Sequence, residues 1–344
     1  MTVYFSLPVH EAPLVVADQL TNFSRYAPQA RVVLHVSSNA AIDVAALHDI
    51  LRRAGNDNYL INPVRERTAW GGILRAHLAN IAFIRALGDA SHICFHASND
   101  MLIRPGCLSH ITAQDRAFNV RPIFPESYWW VARKAFYDPA LRTVQKRLGG
   151  CALFGSQIEG AFYDAPTLFE IADILRQEAL ATADYPQEEV VFATVAKALG
   201  ATPNAMPYVF SEAHVFDRAY WRFLQQFEWM FGNNWTRAPG LRYCVEYAFI
   251  KTPFYRLRPD LVELIARPVH ATSKNGRAFA GRSAQARRLG DLEWMDDGNS
   301  IWRVFSVDTL YGVKRVPRSL DNPLRRFIQQ LPTGTLRPTQ DREA

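Results

Sequence analysis

Four strand-like apolar runs alternate with three helical ones over the first hundred residues, and that alternation constrains the fold more than any other feature of the chain. Thr2–Leu7, Arg31–Val36, Asn58–Pro63 and His92–Ala97 read as strands. Ala12–Phe23, Ile42–Ala54 and Gly71–Leu87 carry apolar residues every three to four positions and read as amphipathic helices. Such an order predicts an α/β fold with a mainly parallel central sheet flanked by helices. Open sheets of this kind bind ligands beyond the carboxyl ends of their strands. The residues to search are therefore His10, Ser37, Asn62 to Arg67 and Ser98 to Asp100. The chain has neither GxGxxG nor GxxxxGK[ST], so neither a dinucleotide fingerprint nor a P-loop is indicated.

Downstream, residues 115–150 are aromatic, basic and less regular, and Cys151–Gln157 reads as a short strand entering a turn. Ala165–Leu180 and Gln187–Leu199 read as helices, and aromatics dominate from Thr202 to Tyr255. With 49% apolar and 21% charged residues among 344, the chain can bury an ordinary core. Cys94, Cys107, Cys151 and Cys244 form no CxxC pair, which argues against a structural zinc site or a disulfide-built scaffold. No apolar stretch approaches the ~18 residues of a membrane-spanning helix. The start of the chain also lacks a basic n-region.

The net charge of +6 is unevenly placed: residues 251–344 hold 17 Lys/Arg against 10 Asp/Glu, whereas residues 1–250 hold 22 against 23. A basic last quarter suits an anionic partner such as a sugar-linked diphosphate, an anionic lipid or a nucleic acid. No nucleic-acid-binding motif accompanies it, and none of these partners is needed if the charge is a solvated surface.

Three polar constellations interrupt the apolar pattern. The first, Ser98-Asn99-Asp100, ends the fourth strand. A lone carboxylate is a poor site for a hard cation, and Asn and Asp also serve there as ordinary turn residues. The second, Gly155-Ser156-Gln157, combines close backbone approach with hydrogen-bonding groups suited to sugar hydroxyls. The third, Pro186-Gln187-Glu188-Glu189, opens a helix. Acids in a first turn favour the helix dipole without any chemistry. Adjacent helical residues point about 100° apart, so only one of the two glutamates can face a substrate as a general base.

The order of these pieces resembles the core-2/I-branching N-acetylglucosaminyltransferases and protein xylosyltransferases. The landmarks are Pro8-Val9-His10, His35-Val36-Ser37, Ala69-Trp70-Gly71, Ser98-Asn99-Asp100-Met101-Leu102-Ile103, Gly155-Ser156-Gln157 and Glu188-Glu189-Val190-Val191-Phe192-Ala193-Thr194. They lie between residues 3 and 200, and beyond these little aligns. Ser37 stands where the family has an aspartate after the second strand.

The resemblance implies a GT-A-like single catalytic domain over residues 1–331, with a nucleotide-binding part (1–110), an acceptor-binding and catalytic part (111–258) and a basic diphosphate-contacting segment (259–331). A disordered tail is expected over 332–344. It implies inverting transfer from a UDP-sugar, with N-acetylglucosamine or xylose as the sugar, to a glycan hydroxyl, and requires neither divalent metal nor other cofactor. By motif, Glu189 is the catalytic base. His10, Val36, Asn62 and Asp100 are expected at the donor site, with Val36 and Asn62 beside the uracil; the basic C-terminal quarter offers Lys314, Arg315 and Arg318 as first candidates for the diphosphate, with Lys274 and Arg277 next. Glu126, Trp129, Ser156 and Gln157 belong to the acceptor site. The expected partners are a nucleotide sugar and a glycan acceptor, with no nucleic acid and no membrane-spanning segment. Peripheral membrane contact and oligomeric state stay open, and the expected setting is the bacterial cytoplasm. The competing possibility is a non-catalytic sugar- or phosphate-binding protein on the same fold, which has no need of Glu189.

Overall fold

The computed structural model describes residues 2–10, 12–69, 71–118, 120–123, 130–156, 158–177, 180, 183–204, 208–210, 310–314, 316–331 and 333. The α/β class expected from the sequence is the class observed. Strands β1 (Thr2–Val9), β2 (Arg31–Val36), β3 (Tyr59–Ile61) and β4 (Ala90–Phe95) run parallel, and β9 (Phe162–Asp164) lies antiparallel beside β4. With β6 (Arg116–Ala117) at the edge, the sheet order is β3-β2-β1-β4-β9-β6. Helices α1 (Pro13–Tyr26), α2 (Val44–Arg53) and α3 (Ile73–Leu87) connect the parallel strands.

Right-handed crossovers put α1 and α2 on one face of the sheet, and the reversed step from β3 to β4 puts α3 on the other. Alternation along β1 agrees with this. Phe5 packs edge-on against Phe23 of α1, ring centroids 4.8 Å apart, whereas neighbouring Ser6 meets His77 of α3. The reversal of direction falls between β1 and β4, so their carboxyl ends flank a crevice.

A polar chain ties α3 to the sheet. Asn62 Nδ2 donates to Asn80 Oδ1 (3.0 Å), Asn80 Nδ2 donates to Ser6 Oγ (3.1 Å) and to the Val33 carbonyl (3.0 Å), and Ser6 Oγ meets His77 Nδ1 (2.8 Å). Burial lowers the His77 pKa to about 3, so its ring stays neutral and the chain carries no buried charge.

Residues 130–147 are more regular than their composition suggests. Helices α5 (Trp130–Tyr137) and α6 (Pro139–Arg147) meet at Asp138, which caps α6 by accepting from Ala140 N at 2.9 Å, with Pro139 in the first turn. That stop-and-start pair hides two short helices inside one aromatic, basic stretch. The chain continues through α4 (Cys107–Thr112), α7 (Ala165–Gln177) and α8 (Glu188–Ala198). The strand read at Cys151–Gln157 shrinks to β8 (Phe154–Gly155), paired with β7 (Arg121–Pro122).

The C-terminal segment returns to the N-terminal half. Strand β11 (Gly312–Val313) pairs antiparallel with β5 (Met101–Leu102) and parallel with β10 (Tyr208–Phe210). The following helix, α9 (Pro323–Gln330), lies against α1. Met101, Ile103, Val313, Val316, Leu324 and Ile328 form a small second core beneath it. Arg325 is fully buried: it pairs with Asp18 of α1, and its Nε donates to the Pro317 carbonyl at 3.0 Å. One charge of the basic last quarter is thus structural.

Removing one member of a buried ion pair typically costs about 3–5 kcal/mol, because the other is left without compensation. Asp18→Ala is therefore expected to lower unfolding stability by about that amount in urea titrations and to speed proteolysis after residue 310. A loss below about 1 kcal/mol contradicts this role for the pair.

Candidate functional site at the carboxyl edge of β4

The polar turn after β4 is built by buried side chains from α1. Gln19 Nε2 donates to the carbonyls of Ala97 (2.7 Å) and Asp100 (3.0 Å). Asn22 exchanges two hydrogen bonds with Leu102, both 2.8 Å, as a neighbouring strand would. His96 Nε2 lies 3.1 Å from the Asp100 carbonyl, so this nitrogen carries the proton. Burial holds the His96 pKa near 3. Asp100 is itself fully buried, and its Oδ2 accepts from Ala97 N at 3.2 Å.

Two sequence landmarks meet beside this turn. Thr194 of α8 clamps Phe154, its Oγ1 accepting from Phe154 N (3.0 Å) and donating to Phe154 O (3.2 Å). Ser156 N donates to the Glu189 carbonyl at 2.6 Å. Phe192 packs on Phe95 at 4.7 Å between centroids, so the aromatic of the helix motif serves the core. The next turn reaches β4 through Gly160 N, which donates to the Phe95 carbonyl at 2.9 Å. Glu159 is thereby placed at the strand end, where Lys314 forms an ion pair with it at 2.6 Å. Val316 N donates to Asn99 O at 2.7 Å, which fixes the strand carrying Lys314 to the turn.

A third landmark supports α8 from below. A Cβ on Gly71 would lie 2.2 Å from the Ala183 carbonyl, so only glycine allows the 183–185 segment to pass this close. That segment leads directly into Glu188.

The two adjacent glutamates have opposite environments. Glu188 is 3% exposed, and its Oε2 has no hydrogen-bond partner among the described residues. Burial, aided by the nearby Glu189 and Glu159 carboxylates, pushes its pKa well above the ordinary 4.5, against a backbone hydrogen bond and Lys314, which oppose it. Glu189 is half-buried, and its backbone carbonyl accepts from Ser156 N.

The remaining sequence-derived positions fall as follows. His10 is exposed just beyond β1. Val36 is fully buried, and its carbonyl accepts from Arg65 Nε at 3.3 Å. Asn62 is 1% exposed, with its amide engaged by Asn80 and its Oδ1 accepting from Val64 N at 2.9 Å, which makes it a brace for the β3 end. Ser156 is 6% exposed. Arg315, Lys274, Glu126, Trp129 and Gln157 lie outside the described residues. Among the described residues no group of three or more His, Cys, Asp or Glu is arranged to hold a metal ion, and no helix is long and apolar enough to cross a membrane.

Sequence reading passed over Gln19, Asn22 and Glu159. Gln19 and Asn22 share a face, three residues apart, on the buried side of α1, and a polar pair in that position is the signal that marks them.

Glu188 binds its proton more tightly folded than unfolded, so its contribution to stability falls as pH rises from 4.5 toward its raised folded value. Glu188→Gln is expected to remove that fall and to gain stability relative to the parent at pH 7, as read by urea unfolding between pH 4 and 8. Parallel profiles for parent and variant would contradict the buried, protonated carboxyl.

No family model matches the chain, and no curated protein matches it significantly. Among solved structures, an active-site mutant of LgtC is similar at 11% identity and a TM-score of 0.38, covering 61% of this chain and 75% of that one. The galactosyltransferase LgtC in complex with donor and acceptor sugar analogs has 10% identity, a TM-score of 0.38 and the same coverage. A 4-diphosphocytidyl-2C-methyl-D-erythritol synthase has 12% identity and a TM-score of 0.33, covering 60% of this chain and 86% of that one.

Proposed function

We propose that the chain is a GT-A-like glycosyltransferase that moves a sugar from a UDP-sugar to a glycan hydroxyl with inversion. The observation that carries this reading is the first turn of α8, where a half-buried Glu189 stands next to a buried Glu188 at the carboxyl edge of β4. An acceptor hydroxyl within hydrogen-bond reach of Glu189 gives up its proton as its oxygen attacks the anomeric carbon and the bond to the diphosphate breaks. The Ser156 N–H on the Glu189 carbonyl and the Thr194–Phe154 clamp fix the helix against the strand end, so the base is presented on a rigid element.

The departing diphosphate gains negative charge, and a fixed cation lowers its energy without a metal. Lys314 supplies that cation, held in place by Glu159. In this reading Asp100 shapes the turn, since its carboxylate accepts the Ala97 N–H and is fully buried. His10 borders the donor crevice at the end of β1, and the backbone after Val36 forms its floor. Arg315 and Lys274 are further candidates for the diphosphate, and Glu126, Trp129, Ser156 and Gln157 for the acceptor. N-acetylglucosamine and xylose are the sugars proposed for transfer.

In excess EDTA, Glu189→Gln is expected to lower UDP release or sugar transfer by about a hundredfold or more while leaving the unfolding transition in place. Glu188→Gln is expected to lose much less. Crippling by Glu188→Gln alone moves the base by one residue. Full activity in Glu189→Gln, or loss of parent activity in EDTA with recovery in manganese, defeats the mechanism.

A further inference from the structure

The carboxyl-edge site does not use a second concavity of about 710 Å³ beside the start of α8. Its walls include Arg133, Lys134 and Tyr137 of α5, Asp138 at the α5–α6 junction, and Tyr185 and Gln187 ahead of α8. The volume lies in the range of small-ligand sites, about 300–1,000 Å³, and accommodates one or two sugar rings.

One side of this groove is pre-set. Asp138 Oδ2 accepts from Tyr185 Oη at 2.6 Å and from Gln187 Nε2 at 3.0 Å, while its Oδ1 caps α6. Those donors hold the carboxylate in place against the groove wall. Lys134 is paired with Asp184. Arg133 is exposed and makes no ion pair among the described residues, so its guanidinium is open to solvent at the groove, whose lining carries two cations and two carboxylates. Tyr137 stands at 64% exposure on the same helix and offers a flat amphipathic ring. An aromatic platform, a guanidinium and a braced hydrogen-bonding wall together fit a sugar that bears a negative charge. Gln187 immediately precedes Glu188 and Glu189 in sequence, so the groove abuts the start of α8.

We infer that this groove is the acceptor subsite and that it takes an anionic glycan, a sugar bearing a carboxylate or a phosphate. The assignment to an acceptor rests on the transferase reading, whereas binding in the groove does not.

The test titrates the full chain with methyl β-D-glucuronide, glucose 6-phosphate and neutral methyl β-D-glucoside, followed by NMR chemical shifts, with UDP titrated separately. At least one anionic sugar is expected to bind about tenfold or more tighter than the glucoside, the scale of one charge-assisted hydrogen bond. Arg133→Ala should abolish that preference and leave UDP affinity and the melting temperature unchanged. Tyr137→Ala should weaken all three sugars. The glucuronide and phosphate arms distinguish the two kinds of anion. Equal binding of charged and neutral sugars, a preference that survives Arg133→Ala, or no sugar binding overturns the inference. Anionic sugar bound through Arg133 in a protein that ignores UDP leaves the groove standing and removes the transferase reading. UDP binding without sugar binding does the reverse.

Discussion

An apolar strand buried on both faces can end in a polar turn only where buried groups take up that turn's backbone, and the rest of the site depends on this being done at β4. Gln19 and Asn22 do it from α1, supplying donors and an acceptor to Ala97, Asp100 and Leu102. Unpaired backbone groups at that depth would cost about as much as lost hydrogen bonds. With the turn fixed, β5 has a defined edge for β11, and the chain from 310 to 331 can lie across α1. Lys314 reaches Glu159 as a consequence of that pairing.

Charge inside this region is arranged in pairs. Arg325 meets Asp18 and Lys314 meets Glu159. Burial lowers the pKa of His35 to about 4 and those of His77 and His96 to about 3, so all three rings are neutral at physiological pH. Glu188 is a deeply buried carboxyl whose burial raises its pKa well above the ordinary value. The two adjacent acids of this first helical turn thus differ in burial, Glu188 being buried and Glu189 half-buried.

The sheet was legible because Phe5, Leu7, Val33, Phe95 and their neighbours are buried from both sides, and such strands announce themselves as continuous apolar runs. The bounds of β2 agree to the residue, and β1 extends two residues further, to Val9. β9 escaped notice because three residues, Phe162–Asp164, are too few to establish a period. Helices α5 and α6 escaped because Asp138-Pro139 breaks them into pieces of two turns each. Motif order singled out the segments that hold Glu189, Ser156 and Thr194, and the structure joins them through contacts local to α8 and β8. The Lys314–Glu159 pair joins residues 155 positions apart, and no local pattern announces such a contact. Asn62 was read as a ligand contact because a polar residue after a strand fits that role, and its bonds to Asn80 and Val64 show that it also braces the β3 end.

The central claim is that the crevice between the carboxyl ends of β1 and β4 holds a nucleotide sugar with its reacting carbon toward Glu189. A crystal structure with UDP bound tests it most directly. The account expects the uracil beyond β1 and β2, the diphosphate within hydrogen-bond reach of Lys314, and the open side of the phosphate facing Glu189. UDP seated away from the carboxyl edge of the sheet, or a diphosphate distant from both Lys314 and Glu189, contradicts it.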